Sequence, residues 1–182
     1  GRVEVKKYHI NSVLNIERSS YNTDSYSIYD LLEKAVKNQI HGEVGYACYL
    51  SGGIDSSALA YILHNLKDSQ LETFSLEFED KQYDESKSQL AVSQYLNTKH
   101  HSLRINGNDI ASNFEKVINH CETVLFRTAP IPLYLLSKFV KESGHKVVYT
   151  GEGADEILLG YDIFFENRIR KFWSRQPSSK FR

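Results

Sequence analysis

Methionine is absent from all 182 residues, cysteine occurs twice, tryptophan once and proline three times, and neither sign of charge dominates. Each shortage closes off a class of reading. Cys48 falls within an apolar run and Cys121 ends an amphipathic stretch. Without C-x-x-C spacing they exclude a thiolate zinc cluster or a dithiol redox motif, and they fit a reduced, cytoplasmic setting. No stretch approaches the ~18 uninterrupted apolar residues of a spanning helix, so no membrane association is expected. The 22 Lys plus Arg nearly balance the 23 Asp plus Glu, for a formal net charge of -1. The chain therefore lacks the basic excess of a nucleic-acid binder, and the arginines and lysines of 168–182 read as a solvated face with no nucleic-acid role. The missing methionine, position 1 included, sets the expectation of a piece of a longer polypeptide. Residues 1–26 are then a linker from a missing N-terminal domain, 27–175 one domain, and 176–182 a truncated C-terminal tail.

What is present suffices for one core, since 41% of the residues are hydrophobic in a chain within the ~100 to 200 residues usual for a domain. Val3, Val5 and Tyr8 hint at an edge strand. From Ser27 onward Ile28, Leu31, Leu32, Ala35, Val36 and Ile40 recur at helical spacing, with Ser27 and Asp30 as a capping-box start and His41-Gly42 as the stop. The pattern predicts strands over 44–50, 71–78, 99–105 and 146–150. It predicts further helices over 58–66, 84–96, 109–121, 132–143 and 157–173. Strands alternating with helices of this length indicate an α/β fold, a doubly wound and mostly parallel sheet with helices on both faces.

Ligands of such sheets sit off the carboxyl ends of the strands, and two of those ends carry chemistry. Leu50-Ser-Gly-Gly-Ile-Asp-Ser-Ser57 leaves an apolar strand through two glycines and enters a helix. Gly52 and Gly53 permit positive φ and leave room for consecutive N–H groups to curl around an anion, with the helix dipole behind them. Ser51, Ser56 and Ser57 add hydroxyls, and phosphate is the natural guest. The loop has neither G-x-x-x-x-G-K-[ST] nor G-x-G-x-x-G. Asp55 would repel a polyphosphate unless a divalent cation stood between them, which makes it a candidate magnesium ligand; the plainer reading leaves it as a first-turn acid complementing the helix dipole. The second turn, Thr150-Gly-Glu-Gly-Ala-Asp-Glu156, interleaves two glycines with Glu152, Asp155 and Glu156. Acids that close repel one another unless a metal, a lysine or a substrate amine joins them.

These residues carry a resemblance. Ser51-Gly-Gly-Ile-Asp-Ser56 resembles the signature loop of the ATP-pyrophosphatase (PP-loop) family, and Gly151-Glu-Gly-Ala-Asp-Glu156 with Gly160-Tyr161 is similar to the second signature of class B asparagine synthetases. Tyr83-Asp-Glu85, Lys99-His-His101, Glu122 and Pro132-Leu-Tyr-Leu-Leu-Ser137 resemble the same synthetase domain in order and spacing, over roughly residues 27 to 175. The resemblance implies an adenine nucleotide alpha hydrolase-like fold. It implies that Leu50, Leu76, Thr150 and Gly151 contact the adenosine of ATP, and that Ser51, Gly52, Gly53 and Ser56 hold the pyrophosphate. Asp55 and Asp155 would bind Mg2+, and Glu152 would be needed to form an aspartyl-adenylate. ATP activates the side-chain carboxylate of aspartate, ammonia displaces AMP, and asparagine results.

The same resemblance implies an N-terminal glutaminase domain as partner in the full-length protein, with a homodimer left open. The chain departs from the family pattern at Ile157-Leu-Leu-Gly160, which has a single glycine, and it stops at Arg182 before the region of a family lysine. Two alternatives stay open: a related carboxylate-activating amide or lactam synthetase of natural-product biosynthesis, and a nucleotide-binding pseudoenzyme fragment. Among other marked residues, His100 and His101 are neighbours on one strand and so point to opposite faces, which precludes joint chelation. His120-Cys121-Glu122 reads as helix-end packing. Arg127 could pair with a substrate carboxylate or fix its own loop.

Overall fold

The computed structural model describes residues 28–40, 44–158 and 160–174. The expected linker over 1–26 with its hinted edge strand, the Ser27 cap, the His41-Gly42 stop and the tail over 176–182 lie outside the described residues.

Four strands form one sheet: β1 Tyr46–Tyr49, β2 Glu72–Phe78, β3 Lys99–Ile105 and β4 Val147–Tyr149. Its order is β3-β2-β1-β4, and every neighbouring pair is parallel. The register pairs Cys48 with Thr73 and with Tyr149, so β1 is central and hydrogen-bonded on both edges. Alternation along β1 sorts its side chains by face. Cys48 and Leu50 join Val36, Ala60, Ile62, Leu63, Leu71 and Leu96 in one buried cluster. Ala47 joins Phe74, Leu136 and Val140 in the other, with Tyr49 packed against it. The first cluster draws on α1 Ile28–Gln39, α2 Ile54–Leu66 and α3 Ser86–Leu96, and the second on α5 Pro130–Glu142. Helix α4 Gly107–Cys121 packs on α5. Helices therefore cover both faces, and the doubly wound architecture expected from the sequence is the one the chain forms. Phe74 is fully buried. It lies edge-on to Phe139 and stacks on His101 with centroids 4.7 Å apart, a burial that stabilises by about 2 to 3 kcal/mol.

The winding reverses between β1 and β4. The crossovers through α2 and α3 run outward from β1 on one face, and the return through α4 and α5 runs back on the other. The ends of β1 and β4 thus flank the point where a parallel sheet opens a crevice.

One expectation is corrected. The single helix over 157–173 is two: α6 Ala154–Leu158 and α7 Asp162–Ser174. The break has a local cause. The Gly160 N–H donates back to the Asp155 carbonyl at 3.0 Å, a bond that wraps the end of α6, and the Phe164 N–H donates to the Tyr161 carbonyl at 3.0 Å to begin α7. A side chain at 160 would run into the Asp155 carboxylate and push it from its present place. Among the described residues no helix is long and apolar enough to cross a membrane.

Candidate functional site

Strand β1 ends at Tyr49, and Leu50 is still tied to the sheet by its N–H to the Phe74 carbonyl at 2.9 Å. The chain then turns through Gly52 at φ +85, a left-handed conformation that costs a side-chain-bearing residue about 1 to 2 kcal/mol. Gly52 sits hard against α3, where a Cβ would stand 2.7 Å from Ser88 Cβ and 3.0 Å from Gln89 N. Gly53 caps α2 without any side-chain hydrogen bond. The first N–H groups of α2 therefore face outward with the positive end of the dipole, the arrangement that receives anions.

The serines brace this turn from within. Ser56, only 7% exposed, accepts the Ser51 N–H at 3.1 Å and shares a hydroxyl–hydroxyl bond with Ser51 at 2.8 Å. Ser51 Oγ also accepts the Gly53 N–H at 3.2 Å, and Ser57 Oγ donates to the Gly53 carbonyl at 2.7 Å. Ser57 is thus engaged with backbone.

Gly151, the first residue past Thr150 in the second turn, is where the two turns touch. A Cβ there would stand 3.2 Å from Ser56 N, 3.3 Å from Asp55 Cβ and 3.4 Å from Asp55 C, so a bare backbone presses on the first turn of α2. The Glu152 N–H donates to Thr150 Oγ1 at 3.0 Å, and the Ala154 N–H to the Gly151 carbonyl at 3.3 Å. Between the turns lies a cleft of about 170 Å³, lined by Tyr49, Ser51, Asp55, Ser56, Thr150, Gly151, Glu152, Gly153, Asp155 and Tyr161. Three of these are carboxylates, and among the described residues no lysine, arginine or histidine lines the cleft.

That charge pattern decides what the cleft can hold. Three carboxylates beside outward N–H groups accept a polyanion only with cations between. Asp55 and Asp155 reach the cleft from opposite turns. One or two carboxylates completed by phosphate oxygens are the donor set magnesium takes in nucleotide sites. No cluster of three metal-ligating side chains exists among the described residues. The residues fit magnesium together with a phosphate chain. Acids of the second turn act on Tyr161: its hydroxyl donates to Glu156 Oε1 at 2.8 Å. That bond, then burial and the charges of Glu156, Asp155 and Glu152, push the phenol above its ordinary value.

The family model of asparagine synthase matches residues 27–181. The chain belongs to the asparagine synthase family. It is similar to the glutamine-hydrolyzing asparagine synthetase 2 of Arabidopsis thaliana, 33% identical over 168 residues, which are 86% of this chain and 29% of that protein. It is also similar to the glutamine-hydrolyzing asparagine synthetase B of Escherichia coli (strain K12), 29% identical over 177 residues, 88% of this chain and 32% of that protein. The chain thus spans under a third of the length of these curated relatives. Among solved structures, an NH3-dependent NAD synthetase from Campylobacter jejuni aligns with 73% of this chain and 57% of its own, at 22% identity and a TM-score of 0.47.

Within this asparagine synthase domain the expected residues fall into two groups. Ser51, Asp55, Ser56, Thr150, Gly151, Glu152 and Asp155 line the cleft together. Gly52 and Gly53 shape the turn beneath it. Leu50, 1% exposed, lies in the core below the turn. Leu76 is half-buried on β2 and packs against the Phe74 cluster. Arg127 lines a separate, wider cleft of about 890 Å³ at the ends of β2 and β3. His100 and His101 do face opposite ways. His100 bonds to Thr73 and Ser75 at 2.9 and 3.0 Å, and burial followed by the His101 charge lowers its pKa. His101 pairs with Glu72 at 2.8 Å. Tyr49 and Tyr161 also wall the cleft; sequence reasoning passed over Tyr49 and marked Tyr161 only as part of the second signature. Tyr49 sits in an apolar run, where only alternation against the buried Cys48 and Leu50 separates its face from theirs.

Proposed function

We propose that this domain uses ATP to activate the side-chain carboxylate of aspartate for amide formation with ammonia. The meeting of the two glycine turns around a cleft whose lining, among the described residues, has three carboxylates and no cationic side chain carries the reading. It is supported by membership of the asparagine synthase family and by the names of the relatives above. A carboxylate oxygen of the substrate forms a bond to the α-phosphorus, the bond from that phosphorus to the bridging oxygen breaks, and pyrophosphate leaves. Ammonia then attacks the acyl carbon, the acyl–phosphate bond breaks, AMP departs, and the ammonium gives its surplus proton to solvent.

The first turn offers the leaving pyrophosphate the outward N–H groups of α2 and the hydroxyls braced by Ser51 and Ser56, donors already in place before charge develops. Leu50, Leu76, Thr150 and Gly151 are assigned to the adenosine. Leu50 has to act through its backbone, since its side chain is buried. Asp55 and Asp155 hold magnesium, which supplies the positive charge that lets phosphate and carboxylate share the cleft. Glu152 stands exposed on the lip, where its carboxylate can take the ammonium of an incoming amino acid and orient the acid for attack. A glutaminase domain in the same polypeptide is the proposed source of ammonia, and a reduced cytoplasmic setting is the proposed location.

ATP–pyrophosphate exchange tests the assignment. Exchange that needs both aspartate and magnesium is expected, and Glu152→Gln should retain nucleotide binding while losing about 100-fold or more of the exchange rate. Exchange only with a different carboxylic acid, or nucleotide binding without any exchange, would overturn the aspartate reading.

A further inference from the structure

We propose that Tyr161 is a positioning residue of this cleft: through Glu156 it ties α6, which carries Asp155, to the start of α7, and so fixes the wall of the cleft that Tyr161 itself lines. The inference rests on the reading of the cleft given above and adds a residue which that reading does not use. Helix α6 has five residues and buries none of them, so neither propagation nor packing of an apolar face accounts for its place. Among the described residues it is held by a short set of bonds. At its start the Ala154 N–H donates to the Gly151 carbonyl and the Ile157 N–H to the Gly153 carbonyl, both at 3.3 Å. At its end the Gly160 N–H returns to the Asp155 carbonyl at 3.0 Å, and the Tyr161 hydroxyl closes onto Glu156 at 2.8 Å.

The last bond is the one made by a side chain that also lines the cleft. The Tyr161 ring is itself anchored, stacked on Phe164 of α7 at 6.2 Å between centroids. Glu156, its partner, does not line the cleft. The carboxylate nearest in sequence to Asp155 is therefore occupied by a neutral donor and kept apart from the two that the reaction uses. Three like charges within five residues would otherwise repel, and a five-residue helix has little else to resist them. Gly160 is the companion requirement, since any side chain there would displace the Asp155 carboxylate.

Two readouts in the full chain test this. Tyr161→Phe keeps the ring and its stack but removes the hydroxyl. Hydrogen exchange at the α6 amides should quicken by about 2- to 12-fold, the factor that loss of one net hydrogen bond gives, while α2 amides hold their protection. The kcat of pyrophosphate exchange should fall by at least that factor, with the KM for magnesium-ATP within about twofold, because the first turn is untouched. Glu156→Gln, whose amide oxygen still accepts the tyrosyl hydrogen, should preserve most of both. Glu156→Ala should match Tyr161→Phe, and the double substitution should lose no more than either single one. Unchanged α6 protection in Tyr161→Phe, or losses that multiply in the double variant, would overturn the clamp. Absence of exchange by the unsubstituted chain removes the adenylation reading alone, and α6 protection still decides the clamp.

Discussion

Adjacent glycines at 52 and 53 should respond oppositely to the same added methyl group. At Gly52 the backbone has φ +85, and a Cβ would meet Ser88 Cβ at 2.7 Å and Gln89 N at 3.0 Å. The left-handed conformation costs alanine about 1 to 2 kcal/mol. Forcing α3 to yield costs about 1 to 3 more, and the reduced freedom of the unfolded chain returns about 0.4 to 1. Gly52→Ala is therefore expected to lose about 2 to 4 kcal/mol, a large part of the ~5 to 15 of an ordinary domain. Gly53 has φ -74 and ψ 168, which any residue adopts, and its Cβ would meet only Ser51 Oγ, at 3.4 Å. Gly53→Ala should change stability by less than about 1 kcal/mol, since alanine is the poorer cap but the less flexible unfolded residue. Urea unfolding followed by circular dichroism reads the difference. With a slope of about 2 kcal/mol/M, Gly52→Ala lowers the midpoint by about 1 to 2 M and Gly53→Ala by less than about 0.5 M. Equal shifts, or an unmoved midpoint in Gly52→Ala, would refute the contact of this turn with α3.

Two further outcomes follow from titratable groups away from the cleft. Burial pushes the Glu72 carboxyl up, and hydrogen bonds from His101, Lys99 and His145 outweigh it, holding the group at about 2 against 4.5. A depressed carboxyl stabilises the fold above the unfolded value and loses that contribution as pH falls from 4.5 toward about 2, because the unfolded chain binds the proton first. Glu72→Gln should therefore lower the urea midpoint at pH 6 and flatten its decline between pH 5 and 2.5; an unaltered slope would contradict the assignment. Burial pushes the Cys48 thiol up to about 12, whereas Cys121 is exposed. Iodoacetamide at pH 8 should then modify Cys121 in the native protein and Cys48 only in urea. Two thiols of equal rate would place Cys48 wrongly.

Elements with a clean period were readable directly. β3 has the expected limits, Lys99–Ile105, because all seven of its residues pair in parallel register with Glu72–Phe78 of β2. β4 is shorter than the apolar run that announced it, since only three residues find partners on β1 before the chain must turn. The break between α6 and α7 was not legible from period, because Ile157, Tyr161 and Phe165 keep helical spacing across it. All three are exposed, so no buried face enforces continuity, and the wrap of Gly160 onto Asp155 decides the matter. The cleft residues were legible wherever chemistry betrayed them, as with glycines and acids at strand ends. Tyr49 was not, because an aromatic residue in an apolar strand has a sufficient reason to be there without a ligand, and Tyr161 was marked only as part of the second signature, with no role attached.

The central claim is that the two turns grip one magnesium-bound phosphate chain between them, and calorimetric titration of ATP with and without magnesium tests it most directly. Heat of binding that requires magnesium, and affinity lowered about 10-fold or more by Asp55→Asn with the urea midpoint unchanged, is the predicted result. Binding of equal strength without the metal, or an Asp55→Asn variant that binds as tightly as the native protein, would contradict it.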